Sequence, residues 1–292
     1  MAILTDKKYS FVSNASGLGE DTFAVVRFTG YEGISRPYEF DITLVSENGE
    51  VDLGVVLANP ARMVIHREDG RDVTYHGILR EFEQQHEFQG YVFYRAVLAP
   101  RLWWLTLTHH NQVCLGETIP DVVENTLKDG GLASFDFDFR LQAAYSKLDY
   151  VCQYDESHFD FVSRWLEREG IYYFFDQSGT TEKVVFTDTK ISHTGLPLER
   201  DLFYAPPSGL DTGRRTEIIQ SLTCRQRQLP SRVLLKDYNY EKPSLEIAGS
   251  ADVDESGRGE TYIYGEHFPT SEEGNRLRSE ERRVGKECRS RW

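Results

Sequence analysis

Adjacent carboxylates are the first groups in this sequence able to do acid–base chemistry: Asp155-Glu156, Glu167 with Glu169, and Glu280-Glu281. A glycoside hydrolase needs two acids facing one another across a cleft. Nothing in these spacings imposes that geometry, and they read as a helix cap and a solvated helix face. The histidines, His66, His76, His86, His109, His110, His158, His193 and His267, form no H-E-x-x-H. In a strand, His109 and His110 would point to opposite faces. Cys114, Cys152, Cys224 and Cys288 are far apart, with no C-x-x-C pair, and read as buried small hydrophobes in a reducing compartment. Gly17-x-Gly19 lacks a third glycine and a following helix, so it reads as a turn rather than a dinucleotide fingerprint. Trp103-Trp104 could stack on a sugar, but a junction between two domains, with one ring buried on each side, explains the pair better. No nucleophile elbow, phosphate loop or Cys/His arrangement occurs. The expectation is a non-enzymatic scaffold with no catalytic residue, metal or cofactor.

The elements that would have to hold such groups lean towards β. Aromatics make up 13% of the 292 residues, with sixteen Tyr and seventeen Phe against two Met, a composition that favours pleated surfaces. The formal charge of −14 runs through the whole body, which disfavours nucleic acid as a partner. The first residues, MAILTDKKYSFVSN, have no signal-peptide pattern, and no apolar run is long enough for a membrane anchor.

In Tyr38–Leu44 the apolar Tyr38, Phe40, Ile42 and Leu44 alternate with Glu39, Asp41 and Thr43, the pattern of a half-buried strand. Further strands are predicted at Phe23–Phe28, Arg62–His66, Val73–Glu83 and Tyr91–Ala99, a series that suggests an antiparallel barrel or sandwich. Thr118 and Asp121 have capping-box spacing, Pro120 lies in the first turn, and Gly130-Gly131 ends the helical pattern. A second helix fits Ser157 to Glu169. Ser157 and Asp160 cap it, Gly170 stops it, and Phe159, Phe161, Val162, Trp165 and Leu166 form an apolar arc opposite Asp160, Arg164 and Glu167. Loops dominate from Asp188 to Gly209, followed by predicted strands near Glu217–Arg225, Arg232–Tyr238 and Thr261–Tyr264. The last eleven residues, RRVGKECRSRW, carry five basic residues against one acidic.

Three stretches go further than composition: Ser35-Arg36-Pro37-Tyr38-Glu39-Phe40, then YRAVLAPRLWWL at Tyr94–Leu105, which contains Pro100, Trp103 and Trp104, then YVCQYDESHFDFVSRWLEREGIYYFF at Tyr150–Phe175. In this order and spacing they closely resemble the N-terminal hub region of VgrG, the spike protein of type VI secretion systems. That protein is related to contractile phage baseplate hubs and to late control protein D. The likeness continues through Lys236-Asp237-Tyr238-Asn239-Tyr240, Tyr264-Gly265-Glu266-His267 and Glu272–Leu277, and stops at Arg282.

What the resemblance implies is a mainly β chain with an α+β insertion. Residues 1–107 would form a first tail-tube-like antiparallel β-barrel. Residues 108–205 would form an inserted α/β subdomain with helices near 118–129 and 157–169. Residues 206–281 would form a second β-barrel, incomplete here, and 282–292 a basic tail outside the fold. The resemblance further implies a homotrimer, docked on a hexameric tube protein (Hcp-like) and on baseplate components. It would assemble in the cytoplasm and be secreted through the type VI apparatus. A tip protein (PAAR-like) and effectors would engage C-terminal regions absent from this sequence, which is therefore expected to be truncated. The same mechanics would serve a prophage or tailocin hub, and a carbohydrate-active β enzyme is the rival from another class. Pro37, Phe40, Pro100, Trp103, Trp104, Tyr154, Phe159, Trp165, Leu166, Gly170, Tyr172 and Phe174 are expected to define the folded hub. An acidic lining of an inner channel is a further expectation from the net charge.

Overall fold

Period-2 alternation shapes the first hundred residues. The structure, a computed structural model, describes residues 8–67, 70–193, 203–204, 218–224, 226–268 and 270–277. Its first strands are β1 (Tyr9–Ser13), β2 (Ala24–Gly33), β3 (Arg36–Ser46), β4 (Ala61–Ile65), β5 (Val73–Phe88) and β6 (Tyr91–Ala99), with a short helix α1 (Leu53–Leu57) ahead of β4. They close into an antiparallel barrel in the order β1-β2-β3-β6-β5-β4, with β4 pairing back onto β1. Closure removes the unpaired edges that an open sheet of this size would expose. The strands predicted from alternation all belong to this barrel; β1, which precedes them, is an addition.

Side chains fill the barrel. Tyr38, Phe40, Ile42 and Leu44 of β3 join Phe82 of β5 and Tyr94, Ala96 and Leu98 of β6 in one buried cluster. Phe82 and Tyr94 stack with centroids 5.5 Å apart, and Phe23 meets both edge-on. Each fully buried ring of this kind contributes roughly 1.5–3 kcal/mol relative to exposure. The Tyr94 hydroxyl, the polar end of a buried side chain, donates to the Asn48 carbonyl at 2.8 Å. Gly30 is required by packing, because a Cβ there would collide with the Phe40 ring.

After β6 a 3-10 turn, Arg101–Thr106, leads into β7 (His109–Cys114), α2 (Ile119–Asp129), β8 (Phe137–Arg140), β9 (Val151–Ser157), α3 (His158–Glu169), β10 (Tyr172–Asp176) and β11 (Lys183–Thr187). Strands β7 and β9 form an antiparallel ribbon, and β10-β11-β8 a small mixed sheet. Helix α2 begins with the capping box read from the sequence: Thr118 accepts from the Asp121 backbone and Asp121 reaches back to Thr118. Its Ile119, Val122, Val123 and Leu127 are buried. Helix α3 is capped by Ser157, whose Oγ accepts the Asp160 N–H at 3.0 Å. Gly170 ends it with φ +70°, a left-handed conformation that glycine adopts without a Cβ penalty.

The contacts divide the chain into two compact units, Met1–Arg164 with Tyr172–Ser192, and Trp165–Ile171 with His193–Trp292. Within the second, short strands β12 (Phe203–Tyr204) and β13 (Ile218–Ile219) pair in parallel. Strands β14 (Arg232–Asp237), β15 (Ile247–Asp252) and β16 (Glu260–Tyr264) form a sheet ordered β15-β14-β16. Its core is Val233, Leu235, Ile247, Val253, Phe268 and Leu277. Two of these strands match sequence expectations and β15 does not; the pair β14–β16 is parallel rather than antiparallel. Among the described residues this region is a three-stranded mixed sheet, not a closed barrel. The expected strand at Glu217–Arg225 is reduced to Ile218–Ile219, its two end residues and the whole basic tail lying outside the described residues.

Candidate functional site

The barrel and the α/β insertion are joined within the first unit by a partly buried polar seam. Ser35, at the β2–β3 turn with φ +53°, donates its N–H to the Tyr173 carbonyl of β10 at 2.8 Å. The Tyr38 hydroxyl donates to the carbonyl of His76 on β5, and the His76 N–H donates to Oε1 of Gln177, just beyond β10, at 3.0 Å. The Tyr38 ring lies edge-on to Phe175 at 4.9 Å. Burial, and then the nearby Glu182 carboxylate, push the Tyr38 hydroxyl well above the ordinary tyrosine range, so it stays protonated as a donor.

One arginine holds two buried acids at the same seam. The Arg101 N–H donates to Glu182 Oε1 at 3.1 Å, and its guanidinium donates to Asp136 Oδ1 at 2.9 Å. Asp136 and Glu182 are both buried. Burial raises the Glu182 carboxyl above its ordinary value, opposed by the Arg101 charge. Buried ion pairs add little net stability but penalise the loss of one partner, so this set fixes geometry more than it adds energy.

Several sequence-predicted positions fall on this scaffold. Phe40 is buried inside the barrel, Pro37 is half-buried beside it on β3, and Pro100 is buried where β6 enters the 3-10 turn. Trp103 and Trp104 are both half-buried on that turn, while Leu102 and Leu105 are its buried residues. On α3, Phe161, Val162 and Leu166 are buried, Phe159 and Trp165 half-buried, and Asp160, Arg164 and Glu167 exposed. Tyr154 stands 77% exposed on β9. Tyr172 and Phe174 are half-buried, but the seam is made by Tyr173 and Phe175 on the other face of β10. Alternation along a strand makes a shift of one residue a change of face.

The carboxylates depart from their sequence reading in two ways. Glu169 is not solvated: it is 4% exposed, bound by Arg168 at 2.9 Å and by Arg276 at 2.7 Å. It lies three residues after Leu166 and seven after Val162, so helical periodicity returns it to the buried stripe. Asp155 and Glu156 do not cap α3, since Ser157 does. Asp155 adopts φ +49° and donates its N–H to Asn111 Oδ1 at 2.7 Å, while Glu156 is gripped by Arg164 at 2.7 Å. Glu280-Glu281 lies outside the described residues. His158, fully buried, bridges Gln153 and Asp129 Oδ2, the latter at 3.0 Å, and so ties the start of α3 to the end of α2.

The cysteines are also corrected: Cys114 and Cys152 are half-buried on the β7–β9 ribbon, and Cys224 is exposed. Cys288 lies outside the described residues. Among the described residues no cluster of His, Cys, Asp and Glu could hold a metal ion, and no helix is long and apolar enough to cross a membrane.

The outer wall of β3, β6 and β5 carries a fused ion lattice. Arg95 binds Asp41 at 2.7 Å, Glu81 at 2.9 Å and Glu83 at 3.6 Å, and Arg80 binds Glu39 at 2.5 Å and Glu81 at 3.1 Å. Arg95 first and Arg80 second hold the Glu81 carboxyl below its ordinary value. Two cations facing four acids leave this wall acidic even when every pair is made.

Known proteins share this architecture. A sequence model of the family described as phage tail baseplate hub (GPD) matches residues 31–288. The type VI secretion system spike protein VgrG1b of Pseudomonas aeruginosa is 30% identical over 238 residues, covering 82% of this chain and 32% of the relative. The chain thus spans about a third of the length of that curated relative. Among solved structures, the E. coli c3393 protein is described as a component of the type VI secretion system with structural similarity to the T4 bacteriophage tail proteins gp27 and gp5. It matches with a TM-score of 0.57 at 25% identity, over 67% of this chain and 52% of its own. The 43 kDa tail protein of prophage MuSo2 from Shewanella oneidensis has a TM-score of 0.55 at 13% identity, over 96% of this chain and 80% of its own, a likeness of fold alone.

Proposed function

This chain belongs to the phage tail baseplate hub (GPD) family, and on that premise we propose that it is the structural hub of a type VI secretion spike. Three copies join, present their barrels as a ring, and cap a hexameric tube that sheath contraction drives outward, with effectors carried along. The closed six-stranded barrel bearing an α/β insertion is the observation that supports this reading. A barrel without free edges is a rigid block, and rigid blocks transmit a contraction without yielding. Within such a ring, the acidic β3–β6–β5 wall is the candidate lining of an inner channel, where like charge discourages adhesion of acidic cargo. The work of this hub is docking rather than turnover, a reading supported by the ion pairs that hold Glu156 to Arg164 and Glu169 to Arg168 and Arg276.

The test is assembly. The complete open reading frame should run as a trimer in light scattering and cap tube rings in negative-stain images. A monomer that leaves tube ends bare overturns the proposal. A prophage tail hub is the second reading, favoured by the fold shared with the MuSo2 tail protein. Neighbouring genes separate the two: secretion ATPase and membrane-complex genes on one side, tail fibre and lysis genes on the other.

A further inference from the structure

A serine, a histidine and an aspartate line up on the barrel's outer wall, and none of the three belongs to the seam or the ion lattice. Ser10 of β1 sits opposite Val64 of β4, and Phe11 and Met63 beside them are buried in the barrel, which sends Ser10 and His66 outward. The β4–β5 hairpin, in register at Ile65 and Val73, brings Asp72 back against His66. Ser10 Oγ lies 2.7 Å from His66 Nε2, and His66 Nδ1 lies 2.8 Å from Asp72 Oδ2.

The chemistry of the donors orders this chain. A carboxylate can only accept, so the Nδ1 hydrogen belongs to the bond with Asp72. In the neutral imidazole Nε2 is then the lone-pair nitrogen, and Ser10 must be the donor to it. That is the arrangement in which a serine hydroxyl becomes a nucleophile, recognised by geometry and roles and not by order in the sequence. Ser10 is half-buried and the side chains of His66 and Asp72 are 35% and 41% exposed, so small reagents reach the set from solvent.

We propose that Ser10 is a covalent modification site for acyl donors of the activated-ester class, with His66 as its base and Asp72 orienting the imidazole. Ser10 Oγ forms a bond to the carbonyl carbon and the bond from that carbon to the leaving oxygen breaks. The Ser10 proton passes to His66 Nε2 and then to the departing alkoxide, giving acyl-serine and a free alcohol with no change of oxidation state. The inference does not rest on the hub reading, since its premises are the positions of these three side chains alone.

Incubation of the folded chain with p-nitrophenyl acetate, followed by peptide mass mapping, tests it. Ser10 should be acetylated well ahead of the other serines in the same digest, and Ser10→Ala should abolish that product. His66→Gln should slow the labelling about a hundredfold, within the range general-base assistance supplies. Asp72→Asn, which keeps the side-chain shape, should slow it as well, and serves alone if His66→Gln does not fold. Labelling of Ser10 no faster than of the other serines, or labelling unaffected by Asp72→Asn in a protein with unchanged circular dichroism, overturns the proposal.

Discussion

The ring of Tyr38 meets that of Phe175 edge-on, with centroids 4.9 Å apart and planes at 81°. A strand of the barrel and a strand of the insertion thereby share one packing contact, and the Tyr38 hydroxyl and the Gln177 side chain bond the same residue, His76, at its carbonyl and its N–H. The insertion is therefore fastened to the barrel through the Ser35–Tyr173 backbone bond, the Tyr38–Phe175 ring contact and the Gln177 side chain, not through a continuous sheet.

Replacing Phe175 by alanine removes this contact. Full burial would make such a loss about 3–5 kcal/mol, and because Phe175 is half-buried the expected cost is about 2 kcal/mol. Urea unfolding should show a lower midpoint for the variant, and an unchanged midpoint would mean the seam is held by its hydrogen bonds alone.

Leu166→Asp places an unpaired charge on the buried stripe of α3, where Leu166 is 2% exposed. Desolvating or neutralising it should cost several kcal/mol. The measurement is melting temperature and soluble yield; a variant as soluble and as heat-stable as the parent would show the helix face to be misassigned.

Gly170→Ala tests the helix stop. At φ +70° a Cβ is strained, and the expected loss is about 1 kcal/mol. A control substitution at the exposed Glu167 should change the midpoint by less than half as much.

Glu182→Gln tests the buried acid through its pH dependence. Burial raises the Glu182 carboxyl above its ordinary 4.5, so the folded state keeps a proton that the unfolded state has already released. Stability from this group is full below 4.5 and declines as pH rises through the raised folded value. The variant should therefore gain melting temperature relative to the parent as pH is raised above about 4.5. A constant difference across that window would show that Arg101 fully compensates the charge.

Local rules made much of this legible. Both helix starts were visible because the Thr118–Asp121 and Ser157–Asp160 caps are formed by residues three apart, and Gly170 marks a stop that only a left-handed residue makes. Five of the six barrel strands, β2 to β6, are visible because one face of each meets an apolar interior. The Tyr173–Phe175 face is not legible in the sequence, since a run of four aromatics, Tyr172 to Phe175, contains no alternation to say which ring points inward. Glu169 reads as a solvated carboxylate in the sequence because its second arginine, Arg276, comes from more than a hundred residues further along the chain.

The amino-acid sequence by itself determined most of the barrel strands and the two capped helices, because each depends on neighbours a few residues away. Only the tertiary structure decided which strands close the barrel, that β16 joins β14 in parallel, that Arg101 shares two buried acids, and that Ser10, His66 and Asp72 meet. Those partners lie tens of residues apart along most of these links, and no local propensity encodes a hydrogen bond between groups that only chain closure brings within reach.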